Sequence, residues 1–132
     1  MQRFADFSAR QLKIPDLQQV VAFNASIRES DEWFEEPDEL DRIEIILAAL
    51  SDESEPVRAA AVAISRIARS QAFTEGNKRT ALLVGIWILQ NNGENPARYI
   101  PVDDLELGRL LLLAARGADI LADVETLLAS RK

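Results

Sequence analysis

Nine consecutive apolar residues, Ala81 to Leu89, constrain the fold more than any other feature of this chain. A bilayer crossing needs about twice that length, so the run predicts a buried helix rather than a membrane span. We expect this helix to extend from Gly76 to Asn92 and to end at Gly93, because glycine is favoured just past a helix end. A helix that is apolar on nearly every side must be surrounded by other elements, so it is predicted to be the central one.

Five further segments have apolar residues at helical spacing, and several begin with capping residues or proline. They are Leu17–Ile27, Leu40–Leu50 with Asp38 as its cap, Ser54 to a break near Phe73, Leu105 to Gly117, and Asp119 to Leu128. Strand alternation is limited to a few residues around Trp33 and from Tyr99 to Val102. The chain of 132 residues is short enough for one domain. The sequence therefore predicts an all-α, compact, single-domain bundle of about six helices around a buried central helix, over residues 1–132.

Two residue types that carry much of protein chemistry are missing. The chain has no Cys, which excludes disulfides, thiolate metal ligands and a cysteine nucleophile. It also has no His, which excludes the commonest metal ligand and the commonest general base near neutral pH. The net charge of -7 argues against binding to nucleic acid or to anionic membranes. Because residues 1–14 hold no continuous apolar stretch, we find no targeting signal there and expect a cytoplasmic protein.

Charge is unevenly distributed along the chain. Residues 29–55 carry twelve acidic residues and one basic residue, whereas residues 57–79 carry five basic residues and one acidic residue. The simplest interpretation of such a charge run is a face exposed to solvent. The alternative is that positive charge is concentrated at one place to bind an anion.

The basic stretch ends in the sequence QAFTEGNKRTALL, residues 71–83. Gly76 and Asn77 stand where a loop enters a helix, and the free N–H groups of a first helical turn can bind an anion. Lys78 and Arg79 oppose the helix dipole in that turn, a conflict that a bound phosphate would remove. Glu75 offers an oxygen ligand suited to Mg²⁺. The same residues also fit a charged helix start behind an ordinary glycine turn, because short glycine motifs occur by chance.

This segment resembles the signature loop of the Fic/Doc (Fido) family, whose pattern is His-x-Phe-x-Asp/Glu-Gly-Asn-Gly/Lys-Arg. Phe73, Glu75, Gly76, Asn77, Lys78 and Arg79 match the pattern. The helix before the motif and the segments WILQNNG and VDDLELGRLLLLAARG also resemble the family, so the likeness extends over roughly residues 14–128. Lys78, and the absence of a second Arg at Leu82, are closer to the Doc (death-on-curing) branch than to the adenylylating Fic branch.

The resemblance implies an enzyme that uses Mg²⁺ and ATP to modify a hydroxyl of a target protein. The group transferred would be a phosphoryl, onto a translation factor, in the Doc branch, and AMP in the Fic branch. By position, Glu75 would bind the metal, and Gly76, Asn77, Lys78 and Arg79 would hold the phosphates. Phe73 would anchor the loop in the core. The stretch from Arg28 to Leu40 would correspond to the family's flap, with Trp33 and Phe34 as exposed contacts or as buried anchors.

The sequence departs from the family at the first motif position, where Gln71 replaces the His that acts as general base. An amide cannot accept that proton, so the substitution is expected to lower the rate by about 10²–10⁴-fold. The segment SDESEP, residues 51–56, does not match the family's self-inhibitory motif, so restraint would require a separate antitoxin protein. Three hypotheses follow: an impaired Doc-like toxin subunit of a toxin–antitoxin system, an inactive regulator that binds nucleotide or a partner protein, and a helical interaction module without a ligand.

Overall fold

A computed structural model describes residues 11–28 and 38–132 of the chain. These residues form helices and connecting loops with no strand, so the predicted all-α class is confirmed. We number the helices in chain order. They are α1 (Leu17–Ile27), α2 (Leu40–Leu50), α3 (Pro56–Ser70), α4 (Asn77–Asn91), α5 (Pro96–Tyr99), α6 (Leu105–Ala115) and α7 (Leu121–Ala129). None of them is both long enough and apolar enough to cross a bilayer.

The starts of the helices follow from their local sequence, with one exception. Asp16 and Gln19 form a reciprocal capping box at α1, each side chain accepting the other's backbone N–H. Pro56 occupies the first turn of α3, where its missing N–H costs nothing. The prediction that Asp38 caps α2 is wrong. Glu39 precedes α2 without a side-chain cap, because the Asp38 carboxylate accepts the backbone N–H of Thr74 instead.

The prediction that the apolar helix α4 is central is also wrong, since α3 has this position. Ten of the fifteen residues of α3 are buried, against seven of fifteen in α4. Helix α3 packs against α2, α4, α6 and α7. Alanines make this arrangement feasible, because small side chains on several faces let neighbouring helices approach closely. The outer side of α4 is only partly covered, and Leu82, Ile86 and Trp87 remain half-buried there.

The connection between α4 and α6 contains the short helix α5. Asn95 caps α5 by accepting the N–H of Ala97, so the suggested strand around Tyr99 to Val102 is not formed. Gly93 ends α4 with a φ of 84°, in the left-handed region that favours glycine. The other suggested strand, around Trp33, lies outside the described residues.

Gly85 lets α4 approach α3 closely, and replacing it with Ala should destabilise the protein. A Cβ at this position would lie 2.6 Å from Ile64 Cδ1. Ile64 is fully buried and has no room to move away, so we expect a loss of about 1–3 kcal/mol in the free energy of unfolding. Urea denaturation measures this loss.

Gly108→Ala is the matched control for that substitution. Gly108 lies within α6, and a Cβ there would meet nothing within 4 Å. Alanine in a helix should stabilise the protein by about 0.4–1 kcal/mol at such a site. Equal effects of Gly85→Ala and Gly108→Ala would contradict the packing described here.

Candidate functional site

The motif loop, residues 71–76, joins the end of α3 to the start of α4. Gln71 ends α3 in the left-handed conformation, with a φ of 51° and a ψ of 35°. Its side-chain Nε2 donates to the carbonyl oxygen of Ala68 at 2.8 Å. The Gln71 amide therefore satisfies one of the carbonyls that the last turn of α3 leaves without an intrahelical partner.

The middle of the loop is held by a side chain rather than by regular backbone pairing. Asn77 Oδ1 accepts the N–H of Phe73 at 3.0 Å, and Asn77 Nδ2 donates to the Phe73 carbonyl at 2.8 Å. The Phe73 side chain is 3% exposed and lies in the hydrophobic core. The Asn77 side chain therefore shapes the loop, and its backbone N–H lies in the first turn of α4.

Replacing Asn77 with Ala should therefore destabilise the loop. The Phe73 N–H and carbonyl would lose their partners in a buried setting, and each unsatisfied group costs about 1–3 kcal/mol. We expect a lower melting temperature and faster hydrogen exchange at Phe73. Asn91→Ala is the matched control, because it removes only an exposed hydrogen bond to the Trp87 carbonyl and should change stability little. Asn92 is not a suitable control position, because its side chain also binds the backbone of Lys13.

Asn24, on α1, is a supporting residue that the sequence analysis missed. It is 1% exposed, and its Nδ2 donates to the carbonyl of Glu75 at 2.9 Å and to Thr80 Oγ1 at 3.1 Å. The side chain thus ties the loop to α1 and to the first turns of α4. A signal was present in the sequence, because position 24 follows Val20 by four residues and falls on the core-facing stripe of α1.

A second support of the motif loop comes from Arg28, Asp38 and Glu39. Arg28 forms an ion pair with Asp38 at 2.5 Å, and Asp38 accepts the N–H of Thr74 at 3.0 Å. Glu39 donates its N–H to the carbonyl of Ala72 at 2.7 Å. Both ends of the predicted flap therefore lie beside the loop. Trp33 and Phe34 fall outside the described residues.

Gly76 is required by the close approach of α1. Its φ is 79°, and a Cβ there would lie 3.1 Å from Asn24 Nδ2 and 3.3 Å from Ile27 Cδ1. A side chain at this position would thus be strained by its backbone and crowded by α1. The glycine therefore allows the start of α4 to lie against α1.

The loop, α1 and the start of α4 enclose a cleft of about 280 Å³. Its lining residues are Ile27, Glu75, Gly76, Asn77, Lys78 and Arg79. In the described part of the chain, no side chain caps α4, and its first turn contains no acidic residue. The N–H groups of that turn and the two cationic side chains of the lining are groups that can bind an anion.

Among the described residues, Glu75 contributes the one acidic side chain of the cleft lining. Its Oε1 is buried, and the structure gives it no hydrogen-bond partner. An unpartnered buried carboxylate oxygen is costly unless a cation or donor completes it, so the residue fits a metal ligand. The described residues contain no group of three or more acidic side chains arranged to hold a metal.

The basic stretch of the sequence does not form one patch. Arg58 pairs with Glu53 and Glu125 at the opposite end of α3. These two carboxylates raise the pKa of Arg58. Arg69 donates to the carbonyl of Gly117. Only the last two cations of the stretch line the cleft.

The structure therefore brings most of the predicted site together. Glu75, Gly76, Asn77, Lys78 and Arg79 all line one cleft, and Phe73 lies beneath the loop. Gln71 is the residue that stands apart, because it is absent from the lining and its amide is directed to the end of α3.

The motif loop of this helical bundle presents a glycine turn, a carboxylate and two cations to one cleft, a combination of groups that can bind an anion and a metal ion. Comparison with protein-family models matches residues 3–89 to the Fic/DOC family, which is about two thirds of the chain, so the protein belongs to that family. The match covers α1 to α3, the whole motif loop and α4 up to Leu89. No significant match was found among curated proteins or solved structures. Membership of this family indicates an activity that transfers AMP or a phosphoryl group.

Proposed function

We propose that this chain is a Doc-like toxin subunit of a toxin–antitoxin system. Its cleft would bind Mg²⁺ and ATP for phosphoryl or nucleotidyl transfer to a hydroxyl of a target protein. The observation that carries the proposal is the convergence of Glu75, Lys78, Arg79 and the uncapped start of α4 on one cleft. Lys78, and Leu82 in place of a second Arg, favour the Doc branch. Under this proposal the single domain comprises residues 1–132, and a separate antitoxin restrains it.

Different residues of the cleft would bind the metal and the phosphates. The carboxylate of Glu75 would hold the metal, and its buried unpartnered Oε1 supports that role. The N–H groups at the start of α4, with Lys78 and Arg79, would hold phosphate oxygens. When bound, Mg²⁺ neutralises charge on the phosphates and orients them. Asn24 and Asn77 keep the loop in the shape that this binding requires.

Proton transfer is the weak step of the proposed reaction. The attacking hydroxyl must lose its proton, and the chain has no His to accept it. The side-chain amide of Gln71 is not basic, and its Nε2 donates a hydrogen bond to the carbonyl of Ala68. Because phosphoryl transfer depends mainly on positioning and charge neutralisation, we expect slow residual transfer rather than none.

A second candidate function rests on the contact that Gln71 makes. The hydrogen bond from Gln71 to Ala68 gives the side chain a structural role at the end of α3. A chain in which this position serves structure alone could bind nucleotide, or a partner protein, and regulate without turnover. This candidate shares the cleft and differs only in the absence of group transfer.

Thermal unfolding with ATP tests nucleotide binding in both candidates. Saturation at about 100 times the dissociation constant should stabilise the protein by about 2.7 kcal/mol, and chelating Mg²⁺ should remove part of that gain. Glu75→Gln should abolish the Mg²⁺-dependent part. Glu44→Gln is the matched control, since Glu44 is exposed on α2 and its side chain has no hydrogen bond or ion pair with the described residues. No change in melting temperature with ATP and Mg²⁺ would leave only the ligand-free interaction module.

A further inference from the structure

Among the described residues, the most exposed large apolar side chains lie at the outer sides of two helices, α6 and α2. Val102, Leu105, Leu112 and Leu113 lie at the start of α6 or on it, with exposed fractions between 48% and 90%. The remaining one is Ile45 of α2, which is 69% exposed. The group on and before α6 is typical of a surface that is covered by another molecule.

The α6 face is apolar and basic. Leu105, Arg109, Leu112 and Arg116 follow each other at intervals of four, three and four residues, which places them in one row along the outer side of the helix. The inner side consists of the buried residues Leu107, Leu111 and Ala114. Neither arginine side chain has a hydrogen bond or an ion pair with the described residues.

The α2 face has the same spacing and the opposite charge. Asp41, Ile45, Ala48 and Asp52 also follow at intervals of four, three and four residues, and all four are exposed. Glu44 lies beside this row. The side chains of these three acidic residues have no hydrogen bond or ion pair within the described ranges 11–28 and 38–132. The two rows are therefore complementary in charge, and the small side chain of Ala48 leaves room for a leucine.

We infer that the α6 face of one copy of this chain binds the α2 face of a second copy. Leucines of α6 would cover Ile45 and Ala48, while Arg109 and Arg116 would pair with the acidic residues of α2. Complementary potential gives such a contact its orientation, and apolar burial gives it affinity. Since each copy presents both faces, the contact is heterologous, and it either closes into a ring or continues to further copies. The inference does not depend on the function of the cleft.

Analytical ultracentrifugation of the full chain over a range of concentrations up to about 1 mM tests the inference. We expect the average mass to rise above the 14.7 kDa of one chain, and to rise less in 0.5 M NaCl than in 0.05 M NaCl because salt screens the ion pairs. A mass of one chain at every concentration would overturn the inference.

Charge reversal identifies the two faces. Arg109→Glu with Arg116→Glu should weaken association by about tenfold or more, and Asp41→Lys with Glu44→Lys should do the same. Mixing the two variants should restore association, because each supplies the face that the other needs. Lys13→Glu with Arg66→Glu changes the net charge as much as the Arg109→Glu and Arg116→Glu pair does, but outside both faces. This control should associate like the unaltered chain. Variants that associate normally, or a mixture that stays dissociated, would show that these faces do not bind each other.

Discussion

Under the proposed function, a His that replaces Gln71 and turns from Ala68 toward the cleft is expected to raise the rate of group transfer by about 10²–10⁴-fold, the usual contribution of a positioned general base. The backbone should accept the change, because His tolerates the left-handed conformation that Gln71 adopts. The lost hydrogen bond to Ala68 should cost only about 0.5–1.5 kcal/mol of stability. Transfer is measured with ATP labelled at the γ or at the α phosphate, which distinguishes phosphoryl from AMP transfer, and in vivo by growth arrest.

Two variants serve as controls for this gain of activity. Gln71→Asn removes the same hydrogen bond without supplying a base, and Gln90→His adds one histidine at an exposed position near the far end of α4. Both should transfer as slowly as the unaltered chain. If Gln71→His folds but is no faster than these controls, the proposed transferase is wrong, and a nucleotide-binding regulator becomes the better account.

Replacing Arg79 with Ala should weaken binding of Mg²⁺–ATP by about 10–100-fold. A hydrogen bond between charged groups contributes about 1.5–3 kcal/mol, and each 1.4 kcal/mol corresponds to about tenfold in affinity. Arg79 lines the cleft in the first turn of α4, where its planar guanidinium can hold two phosphate oxygens. Isothermal titration calorimetry measures the loss.

Arg66→Ala is the matched control, because Arg66 is an exposed arginine of α3 that does not line the cleft. The two variants have the same change in net charge, so a difference between them reports the position of the guanidinium rather than long-range attraction. Equal affinities for Mg²⁺–ATP in the Arg79→Ala variant and the unaltered chain would remove Arg79 from the phosphate site.

Local signals in the sequence predicted the helices well. The bounds of α1 and α2 agree with the periodicity, and Pro56 and Gly93 mark the start of α3 and the end of α4. Such features depend on residues close in sequence, which is why they can be recognised without a structure. The central position of α3 was missed, because it depends on which helices pack around its alanines rather than on how apolar its own residues are.

The same distinction applies to the site. Glu75, Lys78 and Arg79 are contiguous with Gly76, so one short motif was sufficient to place them in one cleft. Asn24 and Asp38 act across 51 and 36 positions of sequence, on Glu75 and Thr74 respectively, and no local pattern specifies those partners. Asp38 shows the ambiguity most clearly, since a carboxylate before a helix can cap it or bind elsewhere.

A crystal structure with Mg²⁺ and a slowly hydrolysed ATP analogue tests the central claim most directly. The account predicts phosphate oxygens at the first turn of α4, in contact with its N–H groups and with Lys78 and Arg79, and a metal ion on the carboxylate of Glu75. A nucleotide bound at another surface, or a cleft left vacant at saturating concentration, would contradict it.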